Sequence, residues 1–174
     1  RETIRVAEND VKLRLDVECQ ERAAEVIRGA FPEHAMLAEE DTPDSGGDET
    51  SDYEWIVDPI DGTVNFTHGL PFWCCSVAVR RGENVVAGAI YAPAVDELFL
   101  ATEDSEATCN GEPIRVSDIR GLDEAMVMSG LEKSVIPGLE AYTILNAIAA
   151  NVQKGRVMGS AALSYGRMME TVAS

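Results

Sequence analysis

WIVDPIDGTVNF, residues 55–66, joins a short apolar run to a turn that carries two acids. Asp58 precedes Pro59, and a residue before proline is kept out of the helical region, so Asp58 is expected at the end of a strand. Asp61 follows three residues later, and a turn of that length brings the two carboxylates close together. Gly62 tolerates backbone angles that other residues resist. The stretch therefore predicts a strand end at which two carboxylates share one tight turn.

The same turn offers groups for a metal ion and for a phosphate. Carboxylates and a free carbonyl, here that of Ile60, are the oxygen ligands that Mg²⁺ prefers. Thr63 can begin a short helix, whose free N–H groups suit phosphate oxygens. Such a site would hold a phosphate ester against metal ions that activate the attacking water. The alternative is an ordinary turn with solvated acids, because Asp-Gly is a common turn dipeptide; the residues alone leave both open.

Upstream of this turn, the pattern predicts a strand followed by a helix. Residues 11–15 alternate in the manner of a half-buried strand, and Asp16 is expected to end the strand and cap the helix. Apolar residues then recur at helical spacing over 17–30, and Pro32 stops the helix.

A second strand end rich in acids is predicted before the quoted stretch. Residues 35–38 form a short strand that ends at the acidic pair Glu39 and Glu40, a further source of oxygen ligands. Residues 41–54 are acidic, contain glycine and lack periodicity, which predicts a surface loop with solvated charges.

Downstream, strands cluster without intervening helices, which favours an antiparallel sheet. Two β-rich runs joined by GEN, residues 82–84, predict a hairpin, and Asn110-Gly111 predicts a second tight turn. Beyond residue 121 the sequence pattern changes and predicts a helix, a short strand and a second helix. We therefore expect a domain boundary near residue 120.

Composition and charge limit the classes of partner. The chain has 174 residues, 45% of them hydrophobic and 26% charged, which is typical of a globular protein. A formal charge of −17 disfavours nucleic acid and anionic membranes as partners. The four cysteines form no C-x-x-C pair, which argues against a zinc site; free thiols indicate a reducing compartment, and we expect the cytoplasm. The pair Cys74-Cys75 is predicted to pack in the core.

The acids after the strand at 35–38 and the stretch WIVDPIDGTVNFTHGLPF resemble the inositol monophosphatase family, Mg²⁺-dependent and lithium-sensitive phosphatases of inositol and sugar phosphates. The pattern D-P-x-D-G-T followed by N-F is a specific signature, and the resemblance extends over essentially the whole chain. CNGEPIRVS and GSAALS, residues 109–117 and 159–164, also resemble segments of the family. The resemblance implies two or three Mg²⁺ ions, with Mn²⁺ as a substitute.

Carried over residue by residue, the resemblance implies a role for each matching position. Glu39, Asp58 and the carbonyl of Ile60 would hold the first metal, and Asp58 and Asp61 would contribute to the second. Glu39 and Thr63 would act in catalysis by orienting the attacking water. The remaining implied residues are those that contact phosphate or substrate (Asp61, Gly62, Thr63, Gly159, Ser160 and Ala161) and Asp16, at a weaker cation site.

The sequence departs from the family pattern in three places. Ala38 stands where a glycine is usual, and Lys12-Leu13 replaces Val-Thr ahead of Asp16. The family continues with a W-D-x-A-A-G-like segment whose aspartate completes the second metal site, and this chain ends at Ser174 without it. We therefore expect a chain that is truncated at its C-terminus, with an incomplete second subdomain.

The resemblance implies an α+β fold, a layered α/β sandwich of the sugar-phosphatase type with an antiparallel sheet flanked by helices. Residues 1–120 would form an N-terminal metal-binding domain, and residues 121–174 would begin a C-terminal α/β subdomain. The implied function is hydrolysis of a phosphate monoester of inositol or a related polyol, by a homodimer. The alternatives are a phosphatase of fructose 1,6-bisphosphate, histidinol phosphate or a nucleotide 3′-phosphate, or a non-catalytic fragment.

Overall fold

The computed structural model describes residues 3–7, 10–38, 51–130 and 139–168. It begins with an antiparallel pair of strands, β1 (Thr3–Ala7) and β2 (Asp10–Leu13), which runs directly into helix α1 (Arg14–Ala30). None of the helices in this described part of the chain has the length and apolar character needed to cross a bilayer.

A mixed sheet of seven strands forms the centre of the structure. The strands lie in chain order, so that each is hydrogen-bonded to the next. The first pair is parallel and the others are antiparallel. The strands are β3 (Ala35–Ala38), β4 (Tyr53–Asp61), β5 (Cys74–Arg81), β6 (Asn84–Ala92), β7 (Glu97–Thr102), β8 (Ser105–Cys109) and β9 (Glu112–Pro113).

Five further helices and strands of the described chain lie outside the central sheet, besides a single 3-10 turn at Leu122–Glu124. A short helix, α2 (Thr63–His68), connects β4 to β5. A separate parallel pair, β10 (Met126–Ser129) and β11 (Lys154–Val157), encloses helix α3 (Leu139–Ala149) in the sequence. Helix α4 (Ala161–Met168) follows β11 after three residues.

One face of the sheet packs against α1. The helix buries positions spaced at three and four residues, which is the pattern of a single helical face. On the sheet side, Val57 of β4 and Val77 of β5 lie opposite each other and contact this helix face. The buried members of the cluster are Ala24, Ile27, Met36 and Val57.

The other face of the sheet packs against α4. Phe99 of β7 and Leu163 of α4 are 5% and 1% exposed, and they share a cluster with Cys74 and Ala92. Arg167, near the end of α4, forms an ion pair with Glu97 of β7 at 2.7 Å. Because both side chains are partly buried, salt screens this pair less than a surface pair, and it helps to fix the helix on the sheet.

The fold confirms the expected α+β architecture but corrects two details. The sheet is not wholly antiparallel, because β3 pairs with β4 in parallel, with Ala38 opposite Val57. The strand expected over 11–15 ends at Leu13, and α1 begins at Arg14. Asp16 is therefore not a helix cap; it lies in the first helical turn, where a negative charge is favoured by the helix dipole.

Several other local predictions are confirmed. The hairpin turn lies at Gly82–Glu83 between β5 and β6, and Asn110 and Gly111 both have positive φ in the turn between β8 and β9. Of the expected loop, 41–50 lies outside the described residues, and Tyr53 and Glu54 belong to β4. The domain boundary near residue 120 stays a prediction.

Gly166→Ala is expected to destabilise the contact between α4 and the sheet by about 1–3 kcal/mol, because an added methyl overpacks a filled interface. A Cβ at Gly166 would lie 3.0–3.2 Å from three ring carbons of Phe99. Urea unfolding of the variant measures the loss. Gly29→Ala is the matched control, because Gly29 also lies in a helix, α1, and its Cβ would meet nothing within 4 Å. Equal stability of the two variants would contradict the close packing of α4.

Candidate functional site

A β-bulge at the end of β4 positions the two acids of the quoted stretch. Asp58 pairs with Ser76 of β5, but Asp61 pairs with Cys74, so three steps along β4 match two along β5. Pro59, which has no N–H to donate, lies inside this irregularity. Residues three apart in a regular strand point to opposite faces, and one extra residue reverses that parity. The bulge therefore lets Asp58 and Asp61 serve the same side.

The turn that follows depends on glycine. Gly62 has φ +91° and ψ +37°, in the left-handed region, and it is the residue before the first turn of α2. No side chain caps this helix, so its first N–H groups lack a partner from a cap. The Thr63 hydroxyl donates to the carbonyl of Ile60 at 2.9 Å, which closes the turn. The N–H of Ile60 donates to Asp58 Oδ1 at 3.2 Å.

Asp61 accepts hydrogen bonds from the N-terminus of α4, a hundred residues further along the chain. The N–H of Ala161 donates to Oδ1 at 3.1 Å, and the N–H of Ala162 donates to Oδ2 at 2.7 Å. The hydroxyl of Ser160 also donates to Oδ2, at 2.6 Å. A carboxylate at this position satisfies helix amides that otherwise lack partners and interacts favourably with the helix dipole.

Ser160 caps α4 and is shared with Asp61. Its Oγ accepts a hydrogen bond from the N–H of Leu163 at 3.4 Å, which is the geometry of an N-cap. Its carbonyl accepts from the hydroxyl of Ser164 at 2.6 Å. Ser160 is 3% exposed, so its hydroxyl is committed to these internal contacts.

Asn65, on α2, links the turn to the segment before α4. Its Nδ2 donates to the carbonyl of Phe72 at 2.7 Å and to the carbonyl of Met158 at 2.6 Å. Gly159 lies against the same side chain, and a Cβ there would be 3.1–3.2 Å from the Asn65 amide. Gly159 has φ +78°, so both its backbone angles and its contacts favour glycine.

Cys74 lies beneath the acids in a shielded position. It is fully buried, and its Sγ lies 3.6 Å from Asp61 Oδ2 and 3.7 Å from Ser160 Oγ. Burial, with Asp61 and Asp58 nearby, raises the pKa of the Cys74 thiol to about 12. The thiol therefore stays neutral and can donate to Asp61.

The structure brings most of the predicted site residues together. Gly62 packs closely against Gly159 and Ser160. A Cβ at Gly62 would lie 3.1 Å from Ser160 Cβ and 3.2 Å from the Gly159 carbonyl oxygen. Asp16 is buried in α1, where its charge helps to raise the pKa of Cys19. Glu39 lies outside the described residues. The residues united around the turn are Asp58, Ile60, Asp61, Gly62, Thr63, Gly159, Ser160 and Ala161.

Two residues of the site were missed as functional candidates from the sequence. Cys74 was expected to pack in the core, which is confirmed, but its contact with Asp61 was not predicted. Asn65 was noted only as part of the signature, and the signal that could have identified it is a polar side chain two residues into a short helix. The contact between Asp61 and the start of α4 gave no signal, because two of its three donors are main-chain groups.

The donor set fits a hard divalent cation. Asp58, the Ile60 carbonyl and Asp61 offer only oxygen, and a carbonyl that accepts from Thr63 keeps a second lone pair. Within the described ranges, no group of three or more His, Cys, Asp or Glu side chains is placed to hold a metal. A metal ion at the two acids of the turn would therefore need further ligands.

Comparison with known proteins gives a consistent result. Residues 3–173 match the model of the inositol monophosphatase family. The chain is 37% identical over 155 residues to the fructose-1,6-bisphosphatase/inositol-1-monophosphatase of Thermotoga maritima, over 89% of this chain and 57% of that protein. It is 34% identical over 151 residues to the inositol monophosphatase of Dictyostelium discoideum, over 84% of this chain and 55% of that protein.

Solved structures agree with this assignment of fold. The extragenic suppressor protein suhB of Bartonella henselae superposes with a TM-score of 0.87 at 34% identity, over 96% of this chain and 64% of that one. The inositol monophosphatase of Anabaena gives 0.82 at 33% identity, over 88% and 60%. The chain spans less than two thirds of the length of each of these relatives.

Proposed function

Because this chain belongs to the inositol monophosphatase family, we propose that the protein hydrolyses a phosphate monoester of inositol or of a related small polyol or sugar, with Mg²⁺ as its cofactor. The observation that carries the proposal is the turn after Val57. Within six residues it presents two carboxylates, a carbonyl and the start of a helix without a side-chain cap. Oxygen ligands suit the metal and helix N–H groups suit the phosphate, so one turn serves both.

Most of the proposed ligands lie in the neighbouring strands β3 and β4 or directly follow them in the sequence. Asp58 and the Ile60 carbonyl would hold one ion together with Glu39, and Asp58 and Asp61 would contribute to a second. The end of β3 supports the place of Glu39, because Ala38 pairs with Val57, the residue before Asp58. The proposed complement is two or three Mg²⁺ ions, with Mn²⁺ as a substitute, and Asp16 belongs to the weakest site.

The chain's own groups would bind and orient the substrate. The N–H groups of Gly62 and Thr63 would meet the phosphate oxygens, and Glu39 and Thr63 would orient the attacking water. Gly159, Ser160 and Ala161 would line the polyol side. When bound, Mg²⁺ would polarise the phosphoryl group, lower the pKa of the water and reverse the negative charge locally.

The identity of the phosphate ester is the open part of the proposal. A relative that is 37% identical is named for both fructose-1,6-bisphosphatase and inositol-1-monophosphatase activity, which favours testing mono- and bisphosphates together. Histidinol phosphate and nucleotide 3′-phosphates are further candidates. We propose lithium sensitivity, a homodimer and a cytoplasmic location, the last supported by four free cysteines. A net charge of −17 supports small substrates rather than nucleic acid polymers or membranes.

The proposal predicts Mg²⁺-dependent release of phosphate by the full-length protein. A panel of inositol, sugar and nucleotide phosphates, assayed with and without Mg²⁺ and lithium, measures it. We expect turnover of at least one polyol phosphate that EDTA abolishes and Mg²⁺ restores. Calorimetric titration separates this function from a non-catalytic role. No Mg²⁺ binding at millimolar concentration, together with no turnover, would favour the non-catalytic alternative.

A further inference from the structure

We propose that Asn65 is a positioning residue, whose side-chain amide holds the N-terminus of α4 against Asp61. Its side chain hydrogen-bonds to the carbonyls of Phe72 and Met158 and packs on Gly159, and none of these three residues is a proposed metal ligand. Its predicted effect on turnover rests on the proposed function. Its predicted effect on the exposure of α4 amides does not, so the two can fail separately.

Asn65 connects two segments that are distant in the sequence. One Nδ2 group donates to Phe72, in the segment before β5, and to Met158, in the segment between β11 and α4. The distances of 2.7 and 2.6 Å are short for N–H···O bonds. Phe72 and Met158 are far apart in sequence, so Asn65 joins the central sheet to the C-terminal part of the chain.

Gly159 packs on the side-chain amide of Asn65. Any side chain at Gly159 would press on the atoms Nδ2, Oδ1 and Cγ of Asn65. The Asn65 side chain therefore holds the segment 158–159 at two points, by a hydrogen bond to the Met158 carbonyl and by packing on Gly159. This leaves little freedom for the residue that follows, Ser160, and hence for the first turn of α4.

The first turn of α4 in turn holds the carboxylate of Asp61. Ser160, Ala161 and Ala162 supply three hydrogen bonds to Asp61, and all three follow directly after the segment that Asn65 holds. If the segment moves, these donors move with it. Asp61 would then lose the contacts that orient its carboxylate, although no atom of the turn itself had been changed. Small displacements of an orienting group are costly to turnover.

Asn65 is required as a hydrogen-bond donor and not only as a side chain of suitable volume. Both of its partners are carbonyl oxygens, which accept and never donate. Aspartate has the same shape but offers acceptors in place of the amide, so Asn65→Asp would place oxygens against oxygens. Asn65→Ala removes the donor without adding repulsion. The order of the two effects therefore distinguishes a donor from a residue that merely fills space.

The experiment compares Asn65→Asp, Asn65→Ala and Asn65→Ser in the full-length protein. We expect kcat to fall about 10- to 100-fold, most in Asn65→Asp, and KM to rise as well, because Gly159, Ser160 and Ala161 are proposed to line the polyol side. Hydrogen exchange of a peptide spanning 158–164 should become at least about tenfold faster, in the same order. Asn65→Ser keeps one donor and should retain more protection than Asn65→Ala.

Asn151 provides the matched control. Its Nδ2 also donates to a carbonyl, that of Ala147, at 2.7 Å, but it lies just beyond α3. Asn151→Asp should leave kcat and the exchange of 158–164 unchanged. A greater loss in Asn65→Ala than in Asn65→Asp, or unchanged exchange in all three variants, would overturn the positioning role. If Asn65→Asp does not fold, equal protection in the Ser and Ala variants would overturn it.

If hydrogen exchange of 158–164 is faster in the Asn65 variants but the parent protein has no phosphatase activity, the positioning role of Asn65 stands and the proposed function is rejected. Activity in the parent protein without an exchange effect in the variants would do the reverse.

Discussion

Asp61→Asn is expected to lower Mg²⁺-dependent phosphate release by about a thousand-fold or more while leaving the fold largely intact. Removing one well-placed electrostatic group from a reaction centre commonly costs a factor of about 10²–10³, and Asp61 is proposed to contribute to metal binding as well. Turnover at saturating Mg²⁺, compared with that of the parent protein, measures the loss. Normal turnover would show that Asp61 has been given the wrong role.

A smaller effect on stability should accompany this loss. Both oxygens of Asp61 accept hydrogen bonds, from Ala161 on one side and from Ser160 and Ala162 on the other. An asparagine amide has one accepting oxygen, so in either orientation its NH₂ group faces a donor. We expect a cost of about 1–3 kcal/mol in the free energy of unfolding, measured with urea.

Asp118→Asn is the control for Asp61→Asn, because it makes the same chemical change at an exposed position away from the turn. It should leave turnover unchanged and change the free energy of unfolding by no more than about 0.5 kcal/mol. A Mg²⁺ titration of Asp61→Asn by calorimetry adds a measurement that does not need a substrate. Unchanged Mg²⁺ affinity would remove Asp61 from the proposed metal ligands even if turnover fell.

Gly62→Ala is expected to destabilise the protein by about 2–5 kcal/mol, the largest stability change that we predict. The backbone of Gly62 has φ +91°, which costs about 1–2 kcal/mol for a residue with a Cβ. The added methyl would also lie 3.1 Å from the Phe72 carbonyl oxygen and 3.1 Å from Ser160 Cβ, and overpacking costs about 1–3 kcal/mol. The shift of the urea midpoint measures the sum.

Gly111→Ala separates strain from crowding. Gly111 has a similar φ of +85°, but a Cβ there would meet nothing within 4 Å. This variant should therefore lose only the cost of backbone strain, about 1–2 kcal/mol. If both variants lost the same stability, the close approach of Gly62 to Ser160 would contribute nothing.

Local chemistry made the turn and its neighbours predictable from the sequence. Pro59 and Gly62 restrict the backbone in opposite ways, so a strand end and a tight turn could be recognised without knowledge of the rest of the chain. The hairpin at Gly82 and the turn at Asn110 were predictable for the same reason. The start of α1, expected at residue 17, was misplaced by three residues, because alternation and helical periodicity overlap at Arg14 and Leu15.

The contacts made at a distance could not be derived from residue types. β3 pairs in parallel with β4, although the strands that follow are antiparallel, and no local signal distinguishes the two cases. The partners of Asp61 are the backbone amides of two alanines and the hydroxyl of a buried serine, and backbone amides have no sequence signature. The family resemblance pointed to Gly159–Ala161, but it did not indicate that these residues cap a helix with Asp61.

The separation of Asp61 from its partners has a consequence for biosynthesis. The acid and the amides that orient it are about a hundred positions apart, so during translation the turn emerges long before the helix that completes its surroundings. Domains form from the N-terminal side as the chain is made, and distant contacts are the slowest to close. We therefore expect nascent chains that stop before residue 160 to bind divalent ions weakly, with affinity gained when α4 docks.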